Sequence, residues 1–139
     1  MKTAVFIISL LLAHALFSSD SEWEGVILKK MLHSIAKSKE ITVYAKDKSL
    51  RQEFGNSPFI HVSNSCKNCD FVLVRNDMNL SCKKPAIVFN YYSYLHTPNA
   101  VGVFFWQKGR PTIRFSLKRL KHFGLQVRGE LSKFVSTHD

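Results

Sequence analysis

Acidic residues are the scarce class in this sequence. Ten Asp and Glu stand against twenty Lys and Arg, for a formal net charge of +10 at pH 7. The acids are scattered, and no two are spaced to suggest a general acid and base working as a pair. G-x-S-x-G, H-E-x-x-H, the Walker A loop and G-x-G-x-x-G are all missing. His96 and His122 have no carboxylate partner near them in sequence, and His33 reads as a residue on a helix surface. Nothing here argues for catalysis or for a cofactor, so the expectation is a protein that binds rather than reacts. Internal repeats, low-complexity segments and linkers are lacking too, which limits the 139 residues to one domain with one modest core. Past the first twenty residues, no segment is apolar enough to span a bilayer.

The amino terminus is different in kind. Met1-Lys2 precedes an apolar run over residues 4–13, with small residues at Ala13-His14-Ala15 and Ser18-Ser19. That is the layout of a secretory signal peptide, and the run falls short of the ~20 residues that a spanning helix needs. The expectation is a cleaved signal peptide over 1–18 and a single exported domain over 19–139. Export makes nucleic acid a poor partner for the basic excess. An anionic membrane surface, the cell wall or an acidic protein suits it better. From Val101 onward the chain carries eight Lys and Arg against two acids, so this is where the excess concentrates.

Residues 101–124 organise the rest. Residues 101–107 are rich in β-branched and aromatic side chains, Lys108-Gly109 supplies a turn, and Arg110-Pro111 starts a return strand that ends at Ser116. Pro111 has no N–H to give to a ladder and so suits an edge. The outgoing strand has large side chains on both faces, so both faces should be covered. Ser116 is placed to cap a helix carrying Leu117, Leu120 and Phe123 inward, with Gly124 just beyond its end.

Upstream, the i+4 stripe Trp23, Ile27, Met31 and Ile35, widened by Leu28 and Leu32, predicts a first helix over 20–37. Residues 41–45 read as a strand, and Asp47 caps a short helix that ends at Gly55. A second strand is expected over 58–62, and 71–74 is apolar throughout, as for a strand buried on both faces. Residues 76–84 read as a loop or a poor helix, 86–89 as a strand, 90–95 as a short aromatic helix and 128–135 as a last helical turn or two. Helices alternating with strands predict an α/β protein: a mainly parallel sheet with flanking helices and an antiparallel hairpin at its C-terminal edge.

Two constellations stand out. Cys66 and Cys69 form C-x-x-C before one strand, and Cys82 precedes the next; parallel neighbours would bring all three together. A disulfide with one spare thiol suits an exported domain with a small core. A zinc site adding His61 has the right ligand count without a recognised spacing. A thioredoxin-like pair is disfavoured because a strand, not a helix, follows the motif. The second constellation is aromatic: Phe89, Tyr91, Tyr92, Tyr94, Phe104, Phe105 and Trp106 put seven rings in eighteen residues beside Arg110 and Arg114. Aromatics and arginine are enriched where interfaces concentrate their binding energy. The expected partner-binding surface is Tyr91, Tyr92, Tyr94, Phe104, Trp106, Arg110 and Arg114. The competing expectation is a small-ligand receptor whose rings line a pocket at the carboxyl ends of the parallel strands.

Taken together, these segments resemble the YfiR-type family of small periplasmic proteins. The resemblance rests on an opening amphipathic helix over 25–35 and a strand over 41–45. It also rests on Cys69 opening the apolar run Asp70-Phe71-Val72-Leu73-Val74, and on a hairpin closing in Arg114-Phe115. A helix, the Gly124-Leu125 step and a final short helix with Leu131 complete the match. It implies a Rossmann-like α/β domain in the periplasm, without catalysis or cofactor of its own. Its expected role is to bind the periplasmic sensor portion of an inner-membrane signalling protein, typically a diguanylate cyclase, and hold it inactive. Self-association as a homodimer and contact with the membrane surface stay open as further partners.

Overall fold

Two short strands explain why this chain needs helices on both sides of a sheet. Phe71–Val74 and Ala86–Val88 are buried at every position, so neither has a face for water. The computed structural model describes residues 23–75 and 81–138. The expected signal peptide and the start of the first helix lie outside these residues, as do positions 76–80 of the expected loop. The chain divides into two compact units, residues 1–30 and 31–139. Residues 23–35 are helical (α1). In the first unit Trp23 is 57 % exposed, so the apolar stripe does not start there as expected. In the second, Met31, Leu32 and Ile35 are buried.

The second unit contains a seven-stranded sheet, and the α/β reading holds. Its strands are β1 (Ile41–Ala45), β2 (Ile60–Val62), β3 (Phe71–Val74), β4 (Ala86–Val88), β5 (Ala100–Gln107), β6 (Arg110–Ser116) and β7 (Val135–Ser136). They lie in the order β2-β1-β3-β4-β5-β6-β7. The first five are parallel to one another, β5 and β6 are antiparallel, and β7 runs parallel to β6. The order 2-1-3-4-5 is that of a doubly wound sheet, with its switch point between β1 and β3. The last helical turn or two expected over 128–135 is there as a 3-10 helix, Gly129–Phe134, after which the chain adds the two-residue edge strand β7. β6 is therefore the edge over residues 110–114, where Pro111 lies.

The helices follow their capping residues. In α2 (Lys48–Glu53) the Asp47 carboxylate accepts from the Leu50 N–H at 3.1 Å. In α3 (Tyr91–His96) Asn90 Oδ1 accepts from the Ser93 N–H at 2.7 Å. In α4 (Leu117–His122) Ser116 Oγ accepts from the Arg119 N–H at 3.2 Å. Each cap satisfies an amide that would otherwise lack a partner, contributing ~1 kcal/mol. Of the three side chains expected to point inward from α4, only Leu120 is fully buried; Leu117 and Phe123 are half-buried.

The hairpin turn has positive φ at both central residues, 51° at Lys108 and 75° at Gly109. This is the two-residue geometry whose twist matches the strands, and it places Gln107 opposite Arg110 and Trp106 opposite Pro111. Where β5 leaves β4, the register shifts: Ala86 pairs with Ala100, but Ile87 pairs with Gly102. The extra residue puts Ala100 and Val103 in one core cluster with Ala86, Val88, Val72 and Tyr94. The opposite face packs Phe115 over Gly102, its cross-strand partner. A β-carbon at Gly102 would lie 3.1 Å from Cδ1 of Phe115 and 3.4 Å from Cε of Met31. Phe115 is wholly buried and has little room to give way. Gly102→Ala should therefore destabilise by ~1–2 kcal/mol through overpacking, against the usual gain on replacing a strand glycine. Urea unfolding measures this, and a variant as stable as the parent would show that the ring moves aside.

Candidate functional site

β5 continues well beyond the sheet that flanks it, and the expected binding surface lies on that overhang. Its residues are buried through Phe104, Phe105 is half-buried, and Trp106 and Gln107 are exposed. Strand alternation then divides the surface in two. Directly opposed residues share a face, so Val103, Phe105, Thr112, Arg114 and Arg110 lie on one side of the hairpin. Phe104, Trp106, Ile113 and Pro111 lie on the other.

The first side meets α3. Arg114 Nη1 donates to Tyr91 Oη at 3.0 Å, and its guanidinium stands 5.3 Å from the Tyr91 ring centroid. The Tyr91 ring lies 5.9 Å from Phe105. Tyr92 is 65 % exposed and stacks on His96 at 4.1 Å, while Tyr91 is 37 % exposed. Leu95 is exposed beside them. A six-residue helix thus turns two tyrosines and a leucine outward, with Arg114 against Tyr91 and the exposed Arg110 further along the same hairpin face.

Two expected members do not belong to any surface. Tyr94 and Phe104 are 0 % and 1 % exposed. Tyr94 lies on the buried side of α3, in the core cluster with Val88 and Val103. Phe104 is in the interior of the other sheet face, edge-on to Trp106 at 5.7 Å. Trp106 is 39 % exposed but lies across the hairpin from Arg114. The single surface expected from the sequence is therefore a smaller patch of Tyr91, Tyr92, Arg110 and Arg114, with Trp106 behind it.

Arg119 was not anticipated. From α4 its Nη1 donates to the carbonyls of Tyr94 at 2.5 Å and Ala100 at 2.8 Å, and its Nη2 to that of Leu95 at 3.3 Å. It supplies donors to carbonyls at the end of α3 and the start of β5 and so ties the helix to the strand that follows it. In sequence it looks like one more cation in a basic helix, with nothing to distinguish it from Lys118 or Lys121.

The cysteines meet at the other end of the sheet. β3 and β4 are parallel neighbours, and Cys66 and Cys82 form a disulfide with Cα atoms 5.9 Å apart. Cys69 is the free thiol, buried, and donates to the Cys66 carbonyl at 3.1 Å. Burial pushes its pKa above the ordinary thiol value; the nearby Asp70 charge adds to this, and the Lys84 charge opposes it. His61 stands apart on β2, its Nε2 3.6 Å from the Glu40 carboxylate. Among the described residues, the group at this point that could hold a metal is the three sulfurs alone.

A cavity of about 330 Å³ opens beside Cys69, lined by Lys37, Phe71, Lys83, Lys84, Phe123 and others. It lies at the amino ends of β1, β3 and β4, whereas the receptor reading expected a pocket at the carboxyl ends. At the carboxyl ends, Asp47 and Arg75 face each other at 3.6 Å across the switch point. The Ser49 hydroxyl donates to the Asp47 carboxylate and holds it below the usual carboxylate range, helped by the Leu50 amide and the Arg75 charge.

No model of a known protein family matches the chain, and no curated protein matches it either.

The disulfide and the buried thiol make a direct prediction. Thiol titration of the oxidised protein should find one group, slow to react when native and fast in denaturant, because burial keeps Cys69 protonated and shielded. In fresh protein quenched in acid before any alkaline incubation, peptide mapping should place most of the label at Cys69. Three reactive thiols in protein purified without reductant would remove the disulfide.

Proposed function

We propose that this chain is an exported, non-catalytic binding protein that docks on a second protein. In this reading the partner is the extracytoplasmic sensor portion of a membrane signalling protein, such as a diguanylate cyclase, which docking restrains. The observation that carries the reading is the patch on α3 and the hairpin. It joins exposed Tyr91, Tyr92 and Leu95 to Arg110 and Arg114. Tyrosine and arginine supply contact area and directed donors, and such residues often lose ~2 kcal/mol or more of binding when truncated. The formal charge of +10 favours an acidic face on the partner. The nature of that partner follows from the family resemblance.

Tyr92→Ala combined with Arg114→Ala should leave the fold intact and weaken capture of the membrane partner at least about tenfold, or ~1.4 kcal/mol. Trp106→Ala, on the opposite face, should bind as the parent does. Capture from membranes with identification of the retained protein measures both. Recovery of the same partner by the double variant at full yield would reject this face.

The cavity favours a second reading, a receptor for a small amphipathic anion. At about 330 Å³ it is within the size range of ligand sites, with Phe71 and Phe123 in its lining and the cations Lys37, Lys83 and Lys84 outnumbering the carboxylates Glu40 and Asp70. A ligand held there should raise the melting temperature by mass action. A thermal-shift screen of aromatic and aliphatic carboxylates tests this, and Lys84→Glu should abolish any shift. No shift across the series rejects the receptor reading and leaves the docking patch untouched.

A further inference from the structure

The disulfide does not stand alone: a third sulfur lies against it. The Sγ atoms of Cys66, Cys69 and Cys82 are all within 4.8 Å of one another. Cys66 occupies the middle for a local reason. It starts the 3-10 turn Cys66–Asn68, and the Cys69 N–H donates to the Cys66 carbonyl at 3.3 Å. Side chains three apart in such a turn eclipse one another, so the turn delivers the Cys69 sulfur to Cys66. The Cys69 thiol donating to the same carbonyl holds it there. Cys82 arrives from a distance, 16 residues along the chain.

We propose that these residues form a thiol–disulfide exchange site. Cys69 attacks Cys66 and displaces Cys82, moving the bond from Cys66–Cys82 to Cys66–Cys69. The Cys69 thiolate supplies the electron pair of the new S–S bond. The old bond breaks towards Cys82, which leaves as thiolate and takes up the proton that Cys69 gave up. One disulfide and one thiol are present before and after, so no oxidant or reductant is required.

The balance between the two pairings depends on how the segment before β4 is held. Closing a short loop costs less entropy than closing a long one, so a chain with this segment loose favours Cys66–Cys69. The docked segment favours Cys66–Cys82. Asn99 is the residue that docks it: Nδ2 donates to the carbonyls of Cys82 at 3.2 Å and Lys84 at 2.7 Å. Lys83 and Lys84 belong to the cavity wall, as does Cys69. Exchange therefore releases one wall of that cavity from its covalent tie to the turn at Cys66. The inference rests on neither functional reading above.

The test is to map the label on the oxidised full chain. Native protein is held at mildly alkaline pH without added thiol, quenched in acid, then alkylated and digested. Label at Cys82 together with a Cys66–Cys69 peptide is expected, growing with time and several-fold larger in Asn99→Ala. Cys69→Ser should show no label at Cys82 at any time. A second variant guards against poor folding of the first: Cys82→Ser in glutathione disulfide should end with Cys66 joined to Cys69 and no free thiol. Label confined to Cys69 in the parent would overturn the proposal. So would a Cys82→Ser variant that keeps two thiols or carries glutathione in place of the internal bond.

Discussion

Unequal strand length at the middle of the sheet governs most of what is distinctive here. β5 has eight residues beside a three-residue neighbour, so half of it pairs inside a covered sheet and half extends beyond it. The covered half must be apolar on both faces, and the register shift at Ala86–Ile87 lets Ala100 and Val103 serve one core while Gly102 and Phe104 serve the other. The extending half has only its hairpin partner for hydrogen bonding. Its side chains therefore sort by alternation into two outward faces, one shared with α3 and one carrying Trp106.

Two fastenings of different chemistry hold the chain near the amino ends of the strands. At the end of α3 and the start of β5 a single guanidinium collects three carbonyls through its rigid planar fork of donors. A basic helix thus contributes structurally at the end of α3, while Arg114 meets its start through Tyr91. At the amino ends of β3 and β4 the fastening is covalent, with a hydrogen bond from Asn99 to the same segment. The cavity lies beside this fastening, away from the switch point where open α/β sheets usually bind their ligands.

Much of the patch on α3 and the hairpin was legible before any coordinates. A two-residue turn at Lys108-Gly109 already pairs Trp106 with Pro111 and Val103 with Arg114, so the separation of Trp106 from the arginines follows from counting. The error of treating them as one surface came from reading aromatic density rather than register. Tyr94 is different. In a six-residue helix, Tyr91, Tyr92 and Tyr94 are equivalent in composition, and which of them is buried depends on how α3 lies on the sheet. The closing helical turn stops at Phe134 because Val135 and Ser136 pair with Phe115 and Ser116 of β6, a partner that only the assembled sheet supplies.

By itself the sequence determined the local elements and their ends. Alternation, apolar runs and the caps Asp47, Asn90 and Ser116 act within a few residues, so their physics is complete in the chain. It also determined that three sulfurs would meet once β3 and β4 lay side by side. Tertiary structure alone decided which two would bond, which tyrosine would be buried, that Arg119 would collect the carbonyls of α3 and β5, and that a cavity would open at the amino ends. Each of these depends on groups far apart in sequence coming within a few ångströms, and no local pattern records that distance.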